Sequence, residues 1–138
     1  MNIPNDIKQL LKEERLCVMA TCVESNPYSS LMNFTYVEGE NKVILSTRKN
    51  SKKYSNILKN RNISLLFFST SSEVSATFLG TARPIEGNEE DHYREMHMNK
   101  TKMPQFILGD NIGVIVFSIE QIVVSNSQDQ VKYINEDV

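Results

Sequence analysis

Three strand-like segments follow one another in the first third of the chain, with only short turns between them. Leu16–Val23 is a continuous apolar run, and Tyr28–Val37 alternates between two faces. Lys42–Ser46 follows the turn Glu38–Asn41, in which Gly39 can take the positive φ of a tight hairpin. Parallel neighbours need long crossover connections, so these strands are antiparallel. The chain is therefore predicted to be an α+β or mainly β protein.

The remaining segments predict flanking helices and further strands. Helices are predicted over residues 3–15, over about ten residues after position 51, and from residue 87 onward; residues 99–110 are predicted to be partly helical. Strands are predicted at Ile63–Ser69, Val74–Ile85, Ile112–Val124 and, as a short edge strand, Gln128–Ile134. Six or seven antiparallel strands favour a closed or split β-barrel. We expect one domain over residues 1–138, with an N-terminal helix within 1–15 and an edge strand and tail within 126–138.

Local signals refine two of these elements. Gly80 lies inside a predicted strand, which indicates a bulge or a close approach to the backbone. Asn88 is a candidate N-cap for the helix that follows, and three acidic residues after it suit the positive end of the helix dipole. Tyr93, Met96 and Met103 are predicted to be packing residues, and residues 96–106 could form a lid or a dimer contact.

Four cationic residues crowd the connection between the third strand and the second helix: Arg48, Lys49, Lys52 and Lys53. Ser51 is a plausible N-cap, which places the two later lysines in the first turn of the helix. Cations are disfavoured there because the helix dipole is positive. A bound anion offsets this cost, since a helix N-terminus presents converging N–H groups. The stretch predicts a phosphate site.

The charge distribution supports a local anion site. The chain has a formal net charge of −2, yet the interval between Glu40 and Glu73 holds seven cationic residues and no acid. One positive zone on an acidic protein indicates a localised site. Nucleic-acid binding is not expected, because it favours a basic domain with interleaved exposed aromatic residues. A solvated basic helix face is the alternative interpretation.

The cysteines, the histidines and the N-terminal segment indicate which other kinds of site and location are expected. Cys17 and Cys22 are an odd number of positions apart on a predicted strand, so they point to opposite faces and form no disulfide. No metal-ligand spacing occurs. His92 and His97 do not match the i, i+4 pair of a zinc helix, so solvated or interface histidines are predicted. The N-terminus lacks a signal peptide pattern and no apolar run is long enough for a membrane span, so a cytoplasmic protein is expected.

The segments around the cationic connection resemble the pyridoxamine 5′-phosphate oxidase-like family of flavin-binding split barrels. The resemblance is carried by Asn26-Pro27, by Tyr28–Phe34 and most specifically by Leu45–Phe67. It implies a split barrel that binds FMN, and a homodimer with its flavin sites at the subunit interface. It also implies a small-molecule substrate or electron donor.

The resemblance assigns candidate cofactor residues. Those implied to hold the FMN phosphate are Thr47, Ser51, Lys52 and Lys53, with Ser46 beside them. Those implied to lie beneath the flavin ring and ribityl chain are Ser29, Ser30, Leu31 and Met32, although the oxidase itself usually has arginine at position 29. Ser75 corresponds to a contact from the partner subunit. No catalytic residue is assigned, because flavin itself carries hydride transfer.

The C-terminal segment departs from the oxidase proper, which ends with tryptophan and arginine residues that recognise flavin and substrate. This chain has no tryptophan and no arginine after Arg94. The expectation is therefore a related FMN-dependent oxidoreductase acting on an unknown small substrate, and not the oxidase itself. The alternatives are a non-catalytic flavin carrier or redox sensor, or a split barrel that uses deazaflavin F420 or haem.

Overall fold

The computed structural model describes residues 1–126 and 130–135. Its four helices are α1 Asn5–Glu13, α2 Lys52–Lys59, α3 Gly87–Thr101 and α4 Pro104–Ile107. Its seven strands are β1 Leu16–Val23, β2 Asn26–Val37, β3 Lys42–Arg48, β4 Asn62–Phe68, β5 Ser75–Pro84, β6 Ile112–Ser125 and β7 Gln130–Ile134. In the described part of the chain, every helix is too short or too polar to cross a bilayer.

The strands form one antiparallel sheet that closes on itself. Six strands follow the order β3-β2-β1-β4-β5-β6, and β3 also pairs with β6, which completes the barrel. The predicted split barrel with flanking helices is confirmed. β7 pairs with the end of β6 outside this ring, which matches the predicted short edge strand except that residues 128 and 129 lie outside the described residues.

The barrel is split between β2 and β3. These strands pair only over Phe34–Val37 and Lys42–Leu45. Before Phe34, β2 pairs with β1 alone. After Leu45, β3 pairs with β6 alone. The two strands therefore separate at one end of the barrel, and the facing edge of β2 has no strand partner there among the described residues.

Apolar side chains fill the barrel interior. Phe34, Phe67 and Phe78 are fully buried, with ring centroids 4.7 Å apart for the first pair and 4.6 Å apart for the second. Ile7 and Leu11 of α1 join the same cluster and cover one side of it. The closed barrel is thus a packed core, and a ligand has to bind outside it.

The helix α3 covers a second apolar cluster on the outside of β3 and β6. Tyr93 is buried there, with Met96 packed beside it, as predicted. The Tyr93 hydroxyl donates to Glu40 Oε1 at 2.6 Å. The N-cap prediction for Asn88 was wrong, because the helix begins at Gly87 and Asn88 lies in its first turn. Gly87 takes a φ of 70°, which turns the chain into the helix one residue earlier.

Gly80 marks a bulge, as predicted. The register between β5 and β6 shifts between Leu79 and Gly80. A Cβ atom at Gly80 would lie 2.0 Å from the carbonyl oxygen of Ser118, so only glycine allows this approach. The bulge lies where β6 exchanges β3 for β7 as its neighbour on the opposite side.

The two cysteines have different environments and both are free thiols. Cys17 points into the core and is fully buried, whereas Cys22 is half-buried. This confirms the prediction that they point to different faces. Burial raises the pKa of the Cys17 thiol to about 12.

Candidate functional site

A cavity of about 440 Å³ occupies the split between β2 and β3. Its size falls within the range of small-molecule sites. Its walls come from the start of β1, from residues 31–33 of β2, from residues 46–48 of β3, from the start of α2 and from α4. The strands that separate at the split therefore bring the predicted phosphate residues and the predicted flavin strand to one place.

The structure sorts the predicted site residues into two groups. Those that line the cavity are Leu31, Met32, Ser46, Thr47, Ser51 and Lys53. Those outside its lining are Ser29, Ser30, Lys52 and Ser75. Ser29 and Ser30 lie further along β2, opposite Ala20 and Met19.

The start of α2 forms a cradle of hydroxyl and N–H groups. Ser51 caps the helix as predicted, because its Oγ accepts from the backbone N–H of Tyr54 at 3.3 Å. Its hydroxyl donates to the Arg48 carbonyl at 2.7 Å, and Thr47 Oγ1 lies 3.3 Å from the same Oγ. The backbone N–H groups of Lys52 and Lys53, which precede this capped N–H, have no intrahelical acceptor. They are thus available to an anion beside Thr47 and Lys53.

The four cationic side chains of this connection lie in three different environments. Arg48 and Lys53 line the cavity. Lys52 Nζ lies 4.9 Å from the centre of the Tyr28 ring, which is a cation–π contact. Lys49 lines a separate polar cavity with acidic residues of α3. The sequence predicted that Lys52 and Lys53 hold the phosphate together. In the structure Lys53 and Arg48 line the cavity, and Lys52 does not.

The pKa of Lys53 departs from its ordinary value in this cavity. Partial burial lowers the pKa of its ammonium group, because desolvation disfavours the charged form. The described cavity lining contains no acidic side chain to compensate. A phosphate bound between Lys53 and the N–H groups of α2 would supply the missing negative charge.

Phe106 of α4 and Met103, the residue immediately before α4, line the outer side of the cavity. Ser46 Oγ donates to the Phe106 carbonyl at 2.8 Å and so fixes α4 to β3. Arg94 donates to the carbonyl groups of Ile107 and Ile112, which fixes the segment after α4. The sequence predicted that residues 96–106 form either a lid or a dimer contact. It did not predict the contact between Ser46 and Phe106, because no local pattern links these two positions.

Sequence reasoning also missed cavity residues at the far side of β2. Arg15 and Leu16 lie at the start of β1, and Asn33 of β2 pairs with Leu16. Ile112 begins β6 opposite Arg48. No sequence pattern singled out this set, because its members come together only through the pairing of β1, β2, β3 and β6.

The prediction of solvated or interface histidines was wrong for His97. Its side chain is fully buried, and its Nδ1 lies 2.7 Å from Thr35 Oγ1, whereas His92 is exposed. Burial lowers the pKa of His97 to about 4, and the nearby Lys100 ammonium adds to this effect. His97 Nε2 is buried without a hydrogen-bond partner among the described residues. His97 is therefore a neutral structural side chain.

Ser75 lies on the outer face of the sheet. It begins β5 and pairs with Phe68 at the end of β4, and the Phe68 side chain is 40% exposed. The same face continues through Leu66 and Val18 to Leu31, which are aligned across neighbouring strands. From this position Ser75 is available to a second molecule and not to the cavity of its own chain.

Comparison with known proteins identifies the family of this chain. A family model described as pyridoxamine 5′-phosphate oxidase matches residues 3–125. A protein of Schizosaccharomyces pombe, named as a pyridoxamine 5′-phosphate oxidase homolog, is 32% identical over 156 aligned positions, which cover 85% of this chain and 82% of the relative. The chain belongs to the pyridoxamine 5′-phosphate oxidase family.

Solved structures show the same fold at low sequence identity. A protein from Clostridium acetobutylicum related to general stress protein 26 superposes with a TM-score of 0.78 at 17% identity, covering 96% of this chain and 94% of its own. A protein from Listeria innocua described as a pyridoxamine 5′-phosphate oxidase gives 0.72 at 18% identity, with 89% and 98% covered. A heme binding protein from Mycobacterium smegmatis gives 0.80 at 16% identity, with 97% of this chain covered, although this chain spans only 60% of that protein.

Proposed function

We propose that this chain is an FMN-binding flavoprotein that acts as an oxidoreductase on a small substrate. The observation that carries the proposal is the cradle at the start of α2. Thr47, Ser51 and the first N–H groups of the helix converge beside Lys53, in a cavity whose described lining has no acid. These are the groups that bind a phosphate monoester.

The rest of the cavity suits the flavin end of FMN. Leu31 and Met32 line the cavity at the unpaired edge of β2, and Met103 and Phe106 also line it. Apolar side chains pack against a planar ring, and unpaired backbone groups can hydrogen-bond its polar edge. A bound flavin supplies the hydride or electron transfer, while the protein provides binding, orientation and exclusion of water.

Purified protein should be yellow, with the absorption bands of oxidised flavin, and heat-released cofactor should be identified as FMN. If the protein is purified without cofactor, added FMN should bind with one site per chain, and NADH or NADPH should support turnover with a suitable acceptor. Protein that binds neither added FMN nor riboflavin would overturn the proposal. Flavin that binds tightly but that no donor reduces would favour a carrier or redox sensor.

The same spectrum tests the F420 and haem alternatives. Haem would give a Soret band, and F420 would give neither that band nor the flavin bands. Haem also needs an iron ligand, and the fully buried His97 does not line the cavity. Within the described lining the soft donor atoms are the thioether sulfurs of Met32 and Met103, and Met32 is buried. The residues present fit a flavin phosphate better than haem iron.

We propose further that the protein is a cytoplasmic homodimer whose partner completes each flavin site. An exposed apolar row on the outer face of the sheet supports the dimer: Leu31 is 61% exposed, and Val18 and Leu66 continue the row across β1 and β4. An exposed apolar face next to a cavity is typical of an interface. Ser75 on this face would then reach the cofactor of the other subunit. Two free thiols suit a reducing compartment.

Substituting Leu31 with glutamate should weaken dimerisation by about tenfold or more, because a charge would enter an apolar interface. Sedimentation equilibrium of the variant and the unaltered protein measures this change. Leu58→Glu is a matched control, since Leu58 is equally exposed, at 61%, on α2. A monomeric protein that still binds FMN tightly would contradict the interface site.

A further inference from the structure

Arg94, in the middle of α3, binds two carbonyl groups that lie outside its own helix. Its guanidinium donates to the carbonyl of Ile107 and, at 3.0 Å, to the carbonyl of Ile112. It also pairs with the Glu90 carboxylate one turn earlier on α3, and the two charged side chains are only 17% and 19% exposed. A guanidinium presents its donors in a rigid planar fork. Arg94 therefore fixes the two carbonyl groups relative to each other and to α3.

The two carbonyl groups lie at the ends of the loop between α4 and β6. Ile107 is the last residue of α4, and Ile112 is the first residue of β6. The N–H of Ile112 donates to the Gly109 carbonyl at 3.1 Å, and Gly109 takes a φ of 119°, which favours glycine. Loop 108–111 is thus a tight turn, and one side chain, that of Arg94, holds both of its ends.

Loop 108–111 is attached to the connection between β3 and α2, residues 48–51. The backbone N–H of Lys49 donates to the Asn111 carbonyl at 2.8 Å. The Asn111 side-chain amide donates to Asn50 Oδ1 at 3.4 Å. Arg48, at the end of β3, pairs with Ile112. The position of the connection therefore depends on the position of the loop.

The start of β6 also supports α2 directly. Gly113 pairs with Thr47, and a Cβ atom at Gly113 would lie only 2.7 Å from Cε2 of the Tyr54 ring. Tyr54 belongs to the first turn of α2, and its backbone N–H donates to the Ser51 hydroxyl. The absence of a side chain at Gly113 thus lets this turn, which forms the phosphate cradle, lie against β6.

Arg94 itself lies outside the cavity at the split. It lines the separate polar cavity, together with Lys49 and Glu90. Any effect of Arg94 on a ligand in the split therefore passes through the loop and the connection. Hydrogen bonds weaken steeply when the donor direction departs from its optimum. A small displacement of the first turn of α2 is thus enough to weaken phosphate binding by its N–H groups.

We propose that Arg94 is a positioning residue for the cofactor phosphate, because it holds loop 108–111 and thereby the connection that bears the cradle. The identity of the ligand rests on the proposed flavin function, whereas the coupling between Arg94 and the connection is a property of the chain alone. The proposal gives α3 a role in cofactor binding, although no residue of α3 belongs to the described lining of the split.

Arg94→Lys tests this role, since lysine keeps the positive charge beside Glu90 but cannot hold two carbonyl groups with a planar fork. The variant should weaken FMN binding by about tenfold and change riboflavin binding little, because only FMN carries the phosphate. Quenching of flavin fluorescence measures both Kd values. Arg83→Lys is the matched control: Arg83 forms a fork with Glu89 of α3, at 3.0 and 2.7 Å, and lies outside both cavities.

Amide hydrogen exchange of flavin-free protein, followed by NMR, tests the coupling without a cofactor. The Lys49 N–H, which is bonded to the Asn111 carbonyl, should exchange about tenfold faster in Arg94→Lys than in the unaltered protein. The amides of β1, Leu16–Val23, should keep their rates, since β1 pairs with β2 and β4 and not with the loop. A general loss of stability would accelerate exchange in both places.

Each of the following results would overturn the role of Arg94: equal losses of affinity for FMN and riboflavin, the same FMN affinity in Arg94→Lys and Arg83→Lys, or exchange of Lys49 that is unchanged or rises only together with that of β1. If the unaltered protein binds no flavin, the flavin proposal fails. The exchange rate of Lys49 then still decides whether Arg94 positions the connection.

Discussion

Replacing Lys53 with alanine will weaken FMN binding by about 1.5–3 kcal/mol, which is a factor of about 10 to 150 in Kd. The reason is the loss of a charge-assisted contact to the phosphate, at a cavity whose described lining offers no acid to Lys53. Riboflavin has no phosphate, so its affinity will change little. Quenching of flavin fluorescence on binding measures both Kd values.

The neighbouring lysine provides a control for this experiment. Lys52→Ala removes the same charge from the same turn of α2, but Lys52 lies against Tyr28 and outside the cavity. It should change FMN affinity by only the small amount expected of a screened, more distant charge. Equal losses for FMN and riboflavin in Lys53→Ala would show that Lys53 has no phosphate role. Equal losses of FMN affinity in the two lysine variants would show that the overall positive charge of this connection, and not a direct contact from Lys53, determines the affinity.

Acidification will destabilise the fold through His97. Its pKa is about 4 in the folded protein against an ordinary value of 6.5, so between these values the unfolded chain binds a proton that the folded chain does not. The free energy of unfolding should therefore fall as the pH falls from about 6.5 to about 4. At 1.36 kcal/mol per pKa unit, the full loss is about 3 kcal/mol.

Urea unfolding at a series of pH values between 4 and 7 measures this loss. Other groups also titrate in this range, so the decisive quantity is the difference between the unaltered protein and His97→Gln, whose amide can still hydrogen-bond Thr35 but does not ionise. His92→Gln controls for the exposed histidine. An identical pH dependence in the unaltered protein and His97→Gln would rule out His97 as the source.

The positions of the strands, and the antiparallel arrangement of the first three, were largely accessible from the sequence. Leu16–Val23 is predicted to the residue, because an uninterrupted apolar run between polar turns leaves little choice of boundary. The split was not accessible from these patterns. It depends on β3 losing β2 as a neighbour beyond Leu45 while it stays paired with β6, which lies more than sixty residues later. Local patterns do not encode such a change of partner.

The two adjacent lysines show a similar limit within the site. Consecutive residues on a helix point about 100° apart, so Lys52 and Lys53 cannot face the same ligand equally well. The sequence identifies the helix start but does not reveal which direction the cavity lies in. Tyr28, distant in sequence, provides the alternative partner for Lys52.

The burial of His97 was predictable from the spacing of residues along α3. Tyr93, His97 and Thr101 are spaced at four residues and are the buried residues of α3. The spacing between His92 and His97 indicates only whether the two side chains could bind a metal ion together. The spacing from Tyr93, which was predicted to pack, already places His97 on the same face of the helix.

The open edge of β2 in the split couples the stability of the protein to its ligand content. Any ligand that binds there only in the folded state raises the free energy of unfolding by RT ln(1 + [L]/Kd), which is about 2.7 kcal/mol when the free ligand is at a hundred times its Kd. Preparations that differ in their content of such a ligand will therefore melt at different temperatures although their chains are identical. Measurements of stability on this protein thus depend on knowing the occupancy of the split.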